Sequence, residues 1–159
     1  NLDPTEVIPV FNTFYETDYC QIGKLFSPEP LVKDIIKIVK NKGLKLVLAT
    51  NPLFPLIAIQ ERIRWAGLDP LDFDLITSYE EMHACKPNPE YFREIATRIQ
   101  VAPEQCLMVG NDVEEDLVAK EIGMKTFLVE DYLLNRKNKP INTDYRGTLK
   151  DLYQFIANL

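Results

Sequence analysis

Three short stretches carry side chains whose types and spacing could do chemistry. Ala49-Thr50-Asn51 offers a hydroxyl and a carboxamide, Lys86 stands between Cys85 and Pro87, and Gly110-Asn111-Asp112 leads into Glu114, Glu115 and Asp116. A hydroxyl with backbone N–H groups can hold a phosphate oxygen, and an ammonium can neutralise charge that builds up in a transition state. Carboxylates supply the oxygen ligands that Mg²⁺ prefers. Each stretch also has a plainer reading. Thr50 or Asn51 can cap the next helix, a loop lysine is commonly a solvated charge, and acids in a first helical turn favour the helix dipole. On that reading Glu114 and Glu115 are solvated partners of the dipole.

The elements around the stretches weigh against three unrelated plain readings. Short apolar, β-branched runs at 44–49, 73–77, 106–109 and 125–129 alternate with segments of helical period at 30–42, 56–66, 90–99 and 149–156. In 30–42, Leu31, Ile35, Ile38 and Val39 share one face; Leu117, Val118 and Ile122 form the stripe of a further helix that stops at Gly123. This rhythm predicts an α/β fold: a Rossmann-like parallel sheet flanked by helices, with right-handed crossovers. Ligands of such sheets bind beyond the carboxyl ends of the strands. Thr50, Lys86 and Asp112 each follow a strand candidate, so the fold would bring them to one crevice. Residues 1–29 stand apart, rich in aromatics (Phe11, Phe14, Tyr15, Tyr19, Phe26) and without a strand signal. They are expected to form a helix and loop of another layer, leaving 30–159 as the core. The segment 135–142 reads as an exposed polar loop.

Composition narrows the function classes. A chain of 159 residues with 46% hydrophobic content can form one domain with its own core. Twenty-four acidic against 18 basic residues give a net charge of -6, which disfavours nucleic acid as a partner. Cys20, Cys85 and Cys106 show no C-x-x-C spacing and are too few for a disulfide framework, so a reduced, cytoplasmic protein is expected. No apolar run approaches the ~18 residues of a membrane span, so no membrane partner is expected.

Taken in order, ATN, KPNPEYF and GNDVEED resemble motifs two, three and four of the haloacid dehalogenase superfamily of Mg²⁺-dependent phosphatases and relatives, over residues 28–130. The resemblance implies that Thr50 binds the transferring phosphoryl group with Asn51 beside it. Lys86 is then the catalytic lysine that screens nucleophile and phosphate from each other, and Asp112 ligates Mg²⁺ with support from Asp116. Many members carry the acid directly after the glycine, where this chain has Asn111. Either Asn111 or Asp112 therefore meets the metal, and Asp112 is favoured because a carboxylate binds Mg²⁺ better than an amide.

The family's first motif, an Asp-x-Asp pair closing an apolar strand, has no counterpart in the chain. Asp72-Phe73-Asp74 precedes a strand candidate and so belongs at the wrong end of the sheet, where it reads as a structural turn. In the family that strand is central, between the strands that end in Thr50 and Asp112. Leaving it out exposes two strand edges whose unpaired N–H and C=O groups cost on the order of 1 to 3 kcal/mol each when buried. The expectation is an upstream strand with the nucleophilic Asp, and residues 1–29 as the remnant of a helical cap. The implied full-length activity is Mg²⁺-dependent hydrolysis of a small phosphate monoester through an aspartyl-phosphate. A haloacid dehalogenase would share the fold without needing metal, which leaves the GNDVEED acids unexplained. A catalytically inactive binding or scaffold domain is the other reading. A phospho-receiver domain fits poorly, because its acidic pair lies near the start of the chain and not after the lysine. Neither substrate identity nor oligomeric state is written in the sequence.

Overall fold

The computed structural model describes residues 3–159; Asn1 and Leu2, the start of the 1–29 segment, lie outside the described residues. Six α-helices form where local chemistry starts and stops them: α1 (Pro4–Thr17), α2 (Tyr19–Ile22), α3 (Pro30–Asn41), α4 (Leu56–Trp65), α5 (Pro89–Arg98) and α6 (Leu149–Ala157). Proline at the first turn suits α3 and α5, since its missing N–H has no partner there anyway, and Glu29 and Asn88 accept from the next free N–H. Thr148 and Asp151 close a reciprocal capping box on α6. Of the stripe read from the sequence, Ile35 and Val39 of α3 are buried and Leu31 and Ile38 half-buried, and Ile36 is buried beside them.

The strands are β1 (Val47–Leu48), β2 (Leu75–Ile76), β3 (Leu107–Gly110), β4 (Lys125–Val129) and β5 (Tyr145–Gly147). All pairings are parallel. β1 pairs with β2 in one sheet, and β3, β4 and β5 follow in that order in another. Among the described residues no ladder joins β1 to β3. The runs 44–49 and 73–77 therefore yield only two paired residues each. Before β1 and β2, Asp74 takes over: its carboxylate accepts the Leu46 N–H at 2.7 Å while its own N–H donates to the Leu46 carbonyl at 2.8 Å. β5 is an addition to the four strands read from the sequence. It follows a polar tract and buries only Gly147, so it carries no apolar pattern. The segment after β3 is a 3-10 helix, Leu117–Ile122, where the apolar stripe predicts an α-helix.

Two apolar clusters cover opposite faces. Tyr91, Phe92, Ile95 and Ala96 of α5 pack with Met108, Ala119, Ile122 and Met124, and this cluster also touches Val47, Ala49 and Leu75, so it reaches both sheets. Ile35 and Val39 of α3 pack with Phe127 of β4 and with Leu152 and Ile156 of α6. Neighbouring strand residues point to opposite faces, as Met108 and Leu107 do here, one in each cluster. The fold is thus α/β with parallel strands flanked by helices.

Residues 4–25 are largely helical, residues 26–29 are irregular, and the segment rests on α4. The indole of Trp65 lies 5.6 Å from the stacked Phe26 ring and 4.9 Å from the Tyr19 ring. Only glycine fits beneath that indole, since a Cβ on Gly23 would come within 2.3 Å of it. α1 buries none of its side chains, and Phe11 and Phe14 are exposed. No described helix is long and apolar enough to cross a membrane. All three cysteines are free thiols.

Leu128, fully buried in the middle strand of the larger sheet, offers a test of this packing. Leu128→Ala is expected to cost about 2–5 kcal/mol in urea unfolding. A loss below about 1 kcal/mol would contradict its place in the core.

Candidate active site

At the exit of β1 the chain is held by two buried hydroxyls. The Thr50 carbonyl accepts from the Tyr91 hydroxyl and from Thr77 Oγ1, each at 2.7 Å, and the two hydroxyls are 3.1 Å apart. Burial pushes the Tyr91 phenol far above its ordinary range, so it remains a neutral donor. Neither Thr50 nor Asn51 caps a helix. α4 begins after Pro55, and its Leu56 N–H is met by the Glu80 carboxylate at 3.0 and 3.1 Å. The plainer reading of Thr50 and Asn51 therefore fails. Asn51 Oδ1, and Ser78 Oγ just past β2, are buried without a hydrogen-bond partner among the described residues, a state that costs about 1–3 kcal/mol per group.

Lys86 is not a solvated loop charge. Its side chain is only 6% exposed, and its Nζ lies 2.6 Å from Asp116 Oδ1. The same ammonium stands 5.8 Å from the Tyr91 ring centroid and 5.9 Å from that of Phe92, within cation–π range. Asn88 and Pro89 start α5 two residues later, so the helix that buries Tyr91 and Phe92 also fixes the lysine.

The acids after β3 are mostly inside the protein. Asp112, Glu114 and Asp116 are all buried. Asp116 folds back over Gly110, where a Cβ would come within 2.0 Å of its carboxylate, and its Oδ2 accepts the Asp112 N–H at 3.0 Å. Asp112 Oδ1 accepts the N–H groups of Glu114 and Glu115, both at 3.0 Å, and its Oδ2 lies 2.6 Å from Arg136 Nη1. Glu114 departs from its expected role as a solvated dipole partner. Its carboxylate accepts the backbone N–H groups of Arg136 and Lys137 at 3.2 and 2.8 Å. Asn111 donates its amide to the Tyr132 carbonyl at 2.5 Å, and its own carbonyl accepts the Leu134 N–H at 2.8 Å. The segment 132–137 is thus fastened onto the acidic turn by its backbone, while 135–142 is largely exposed, as its polar sequence suggests.

Lys86, Asp116 and Asp112 form one chain of direct contacts, and Tyr91 links it to Thr50 by carrying the lysine on its ring and the Thr50 carbonyl on its hydroxyl. Two residues of this network escape the sequence reading. Tyr91 lies inside KPNPEYF without a role of its own in that reading, and Arg136 lies in a tract with no pattern. A cation placed to meet the surplus of acids at 112–116 is the signal that could have found Arg136.

The residues present suit Mg²⁺ as donors. They are hard oxygens, and Mg²⁺ takes one or two protein carboxylates with water and phosphate completing its shell. Asp112 Oδ2 is the oxygen best placed to serve, since it is met only by a half-exposed guanidinium. Both Asp116 oxygens are already engaged, and Asn111, whose amide nitrogen holds the Tyr132 carbonyl, offers only a neutral oxygen. Among the described residues no three His, Cys, Asp or Glu side chains group as metal ligands.

Parallel strands with a threonine, a buried lysine and two aspartates beyond their carboxyl ends define an α/β fold of the kind whose ligands bind beyond the sheet. The chain belongs to the haloacid dehalogenase-like hydrolase family, which it matches over residues 5–123. It is 28% identical over 138 residues to the pyrophosphatase PpaX of Halalkalibacterium halodurans, covering 83% of the chain and 63% of that protein. It is 32% identical over 141 residues to the glyceraldehyde 3-phosphate phosphatase of Methanocaldococcus jannaschii, covering 85% and 59%. Against the phosphoglycolate phosphatase of Haemophilus influenzae the identity is 31%, covering 74% and 51%. Among solved structures it resembles the HAD-hydrolase YfnB of Bacillus subtilis bound to magnesium, with TM-score 0.61 and 26% identity over 77% of the chain and 54% of YfnB. The chain therefore spans little more than half the length of these proteins.

The Lys86–Asp116 contact can be tested by exchange. Lys86→Met leaves a buried carboxylate without its cation and is expected to cost about 3–5 kcal/mol. Adding Asp116→Asn, which keeps an acceptor for the Asp112 N–H, should recover much of that loss in urea unfolding. A double variant no more stable than Lys86→Met would refute the pair.

Proposed function

We propose that the full-length protein is a Mg²⁺-dependent phosphohydrolase that cleaves a small phosphate monoester through an aspartyl-phosphate. The observation that carries this reading is the continuous Lys86–Asp116–Asp112 contact at the carboxyl end of the strands. It lies where β1 and β3 approach the same core cluster without pairing. The similarity to curated phosphatases, and to a hydrolase crystallised with magnesium, supports the same reading.

In this reading a strand upstream of Asn1 fills the place between β1 and β3. It joins the two sheets in the order β2-β1-new-β3-β4-β5 and ends in the nucleophilic Asp. Residues 1–29 belong to a helical cap, and the family match, which begins at residue 5, takes in α1. The Thr50 hydroxyl and nearby backbone N–H groups hold the oxygens of the transferring phosphoryl group, with Asn51 beside them. Lys86 has three N–H donors; one is spent on Asp116, and the others can face the anionic nucleophile and phosphate. The upstream carboxylate attacks phosphorus as the ester P–O bond breaks, and the second Asp of the upstream pair gives the leaving alcohol its proton. That Asp then takes a proton from the water that displaces the carboxylate, releasing inorganic phosphate. Asp112 holds Mg²⁺, which supplies neutralising charge to the phosphoryl oxygens.

A dehalogenase would not need metal-binding acids, and an inactive scaffold would keep Lys86 for its tie to Asp116 alone. A Mg²⁺-dependent assay on a generic phosphomonoester separates the phosphohydrolase from both. Full-length protein is expected to turn over with Mg²⁺ and to stop in EDTA. Asp112→Ala should lower kcat by at least a hundredfold, the loss of a principal charge-stabilising group, while far-UV circular dichroism stays unchanged. Retained activity in Asp112→Ala removes it from the site. The coding sequence upstream of Asn1 should encode an apolar strand ending in Asp-x-Asp, and its absence would sink the catalytic reading.

A further inference from the structure

Among the described residues, Arg136 is the one cation in contact with the Asp112 carboxylate. Its Nη1 lies 2.6 Å from Asp112 Oδ2 and 3.9 Å from Glu114 Oε2. The two partners differ sharply in environment: the Asp112 side chain is 8% exposed and that of Arg136 56%. A buried carboxylate needs a counter-charge more than an exposed guanidinium does. The hydrogen bond to Asp112 raises the Arg136 pKa above its ordinary value. The backbone of Arg136 is tethered independently, through its own N–H and that of Lys137 to the Glu114 carboxylate at 3.2 and 2.8 Å. Its side chain can therefore leave Asp112 while its backbone stays at the crevice.

We propose that Arg136 is a resident counter-ion that holds Asp112 in the metal-free protein, gives it up to a divalent cation, and then turns its fork to a ligand phosphate. The inference rests on the reading of Asp112 as the metal-binding carboxylate. Its physical basis is competition. Asp112 Oδ1 is occupied by the Glu114 and Glu115 N–H groups, so a cation and Arg136 both need Oδ2. A metal that binds only when the guanidinium is away has its apparent affinity multiplied by the fraction of time the guanidinium is absent. Once released, Arg136 carries five N–H donors in a planar arrangement that matches two phosphate oxygens. The anion that draws it away then favours metal binding, and the two ligands become coupled through one side chain.

The test is isothermal titration of Mg²⁺ into metal-stripped full-length protein, alone and with saturating inorganic phosphate. Arg136→Gln is expected to tighten Mg²⁺ binding on the order of tenfold, the weight of one charge-assisted hydrogen bond. It should also shrink the factor by which phosphate tightens Mg²⁺. Arg136→Lys, which keeps the charge without the fork, should fall between wild type and Gln on both counts. Unchanged or weaker Mg²⁺ binding in Arg136→Gln overturns the proposal. Tighter binding with undiminished phosphate coupling overturns the hand-over to phosphate. Asp112→Ala separates the two levels of inference. If it binds Mg²⁺ as wild type does, the assignment of Asp112 fails; if it loses Mg²⁺ while Arg136→Gln has no effect, only the role of Arg136 fails.

Discussion

The buried contact between Lys86 and Asp116 is the interaction on which the geometry of the crevice depends. It joins the loop after β2 to the turn after β3, and so ties a two-stranded sheet to a three-stranded one with no ladder between them. Taking two charges out of water is costly, and their attraction offsets that cost only when the remaining donors and acceptors are met. Here the conditions are largely satisfied. The second oxygen of Asp116 accepts the Asp112 N–H, and the ammonium lies over two aromatic rings. The absence of a side chain at Gly110 completes the arrangement, because any Cβ would occupy the space of the Asp116 carboxylate.

A second tie runs through α5. Tyr91 is wholly buried in the cluster that touches β1, β2 and β3, yet its hydroxyl reaches the Thr50 carbonyl and its ring lies beneath Lys86. Core packing and site geometry are thus the same contacts seen from two sides. The helix that buries Tyr91, Phe92, Ile95 and Ala96 starts at Pro89, three residues after the lysine. Little chain lies between the hydrophobic anchor and the charge it positions.

The helices were legible because amphipathic period and caps are local. The residues 30–42, 56–66, 90–99 and 149–156 became α3, α4, α5 and α6 within a residue at each end. The strands were legible as apolar runs but not in length, since length depends on partners, and β1 has a partner on one edge only. β5 was hidden because Tyr145 and Arg146 are exposed and its pairing with β4 is a tertiary fact. The site divided in the same way. Residue types at strand ends pointed to Thr50, Asn51, Lys86, Asp112 and Asp116. What they touch, including the Arg136 contact and the burial of Glu114, depends on how the segment 132–137 returns over the acidic turn, which no spacing in the chain announces.

The sheet and the charge distribution are open in the same place. Among the described residues β1 and β3 lack each other as partners, and beyond their carboxyl ends lie Asn51 Oδ1 without a hydrogen bond and Asp112 Oδ2 held by one half-exposed arginine. Around that point Lys86 and Arg136 face Asp112, Glu114 and Asp116, so buried carboxylates already outnumber their cations. In the proposed enzyme a strand inserted there brings one more carboxylate, and a phosphate ester brings further negative charge. Two side-chain cations cannot balance that sum in a partly desolvated crevice, where uncompensated charge is most costly. A divalent cation would offset two of those charges, so for the proposed enzyme metal dependence is expected from the electrostatics of this crevice and not only from likeness to other proteins.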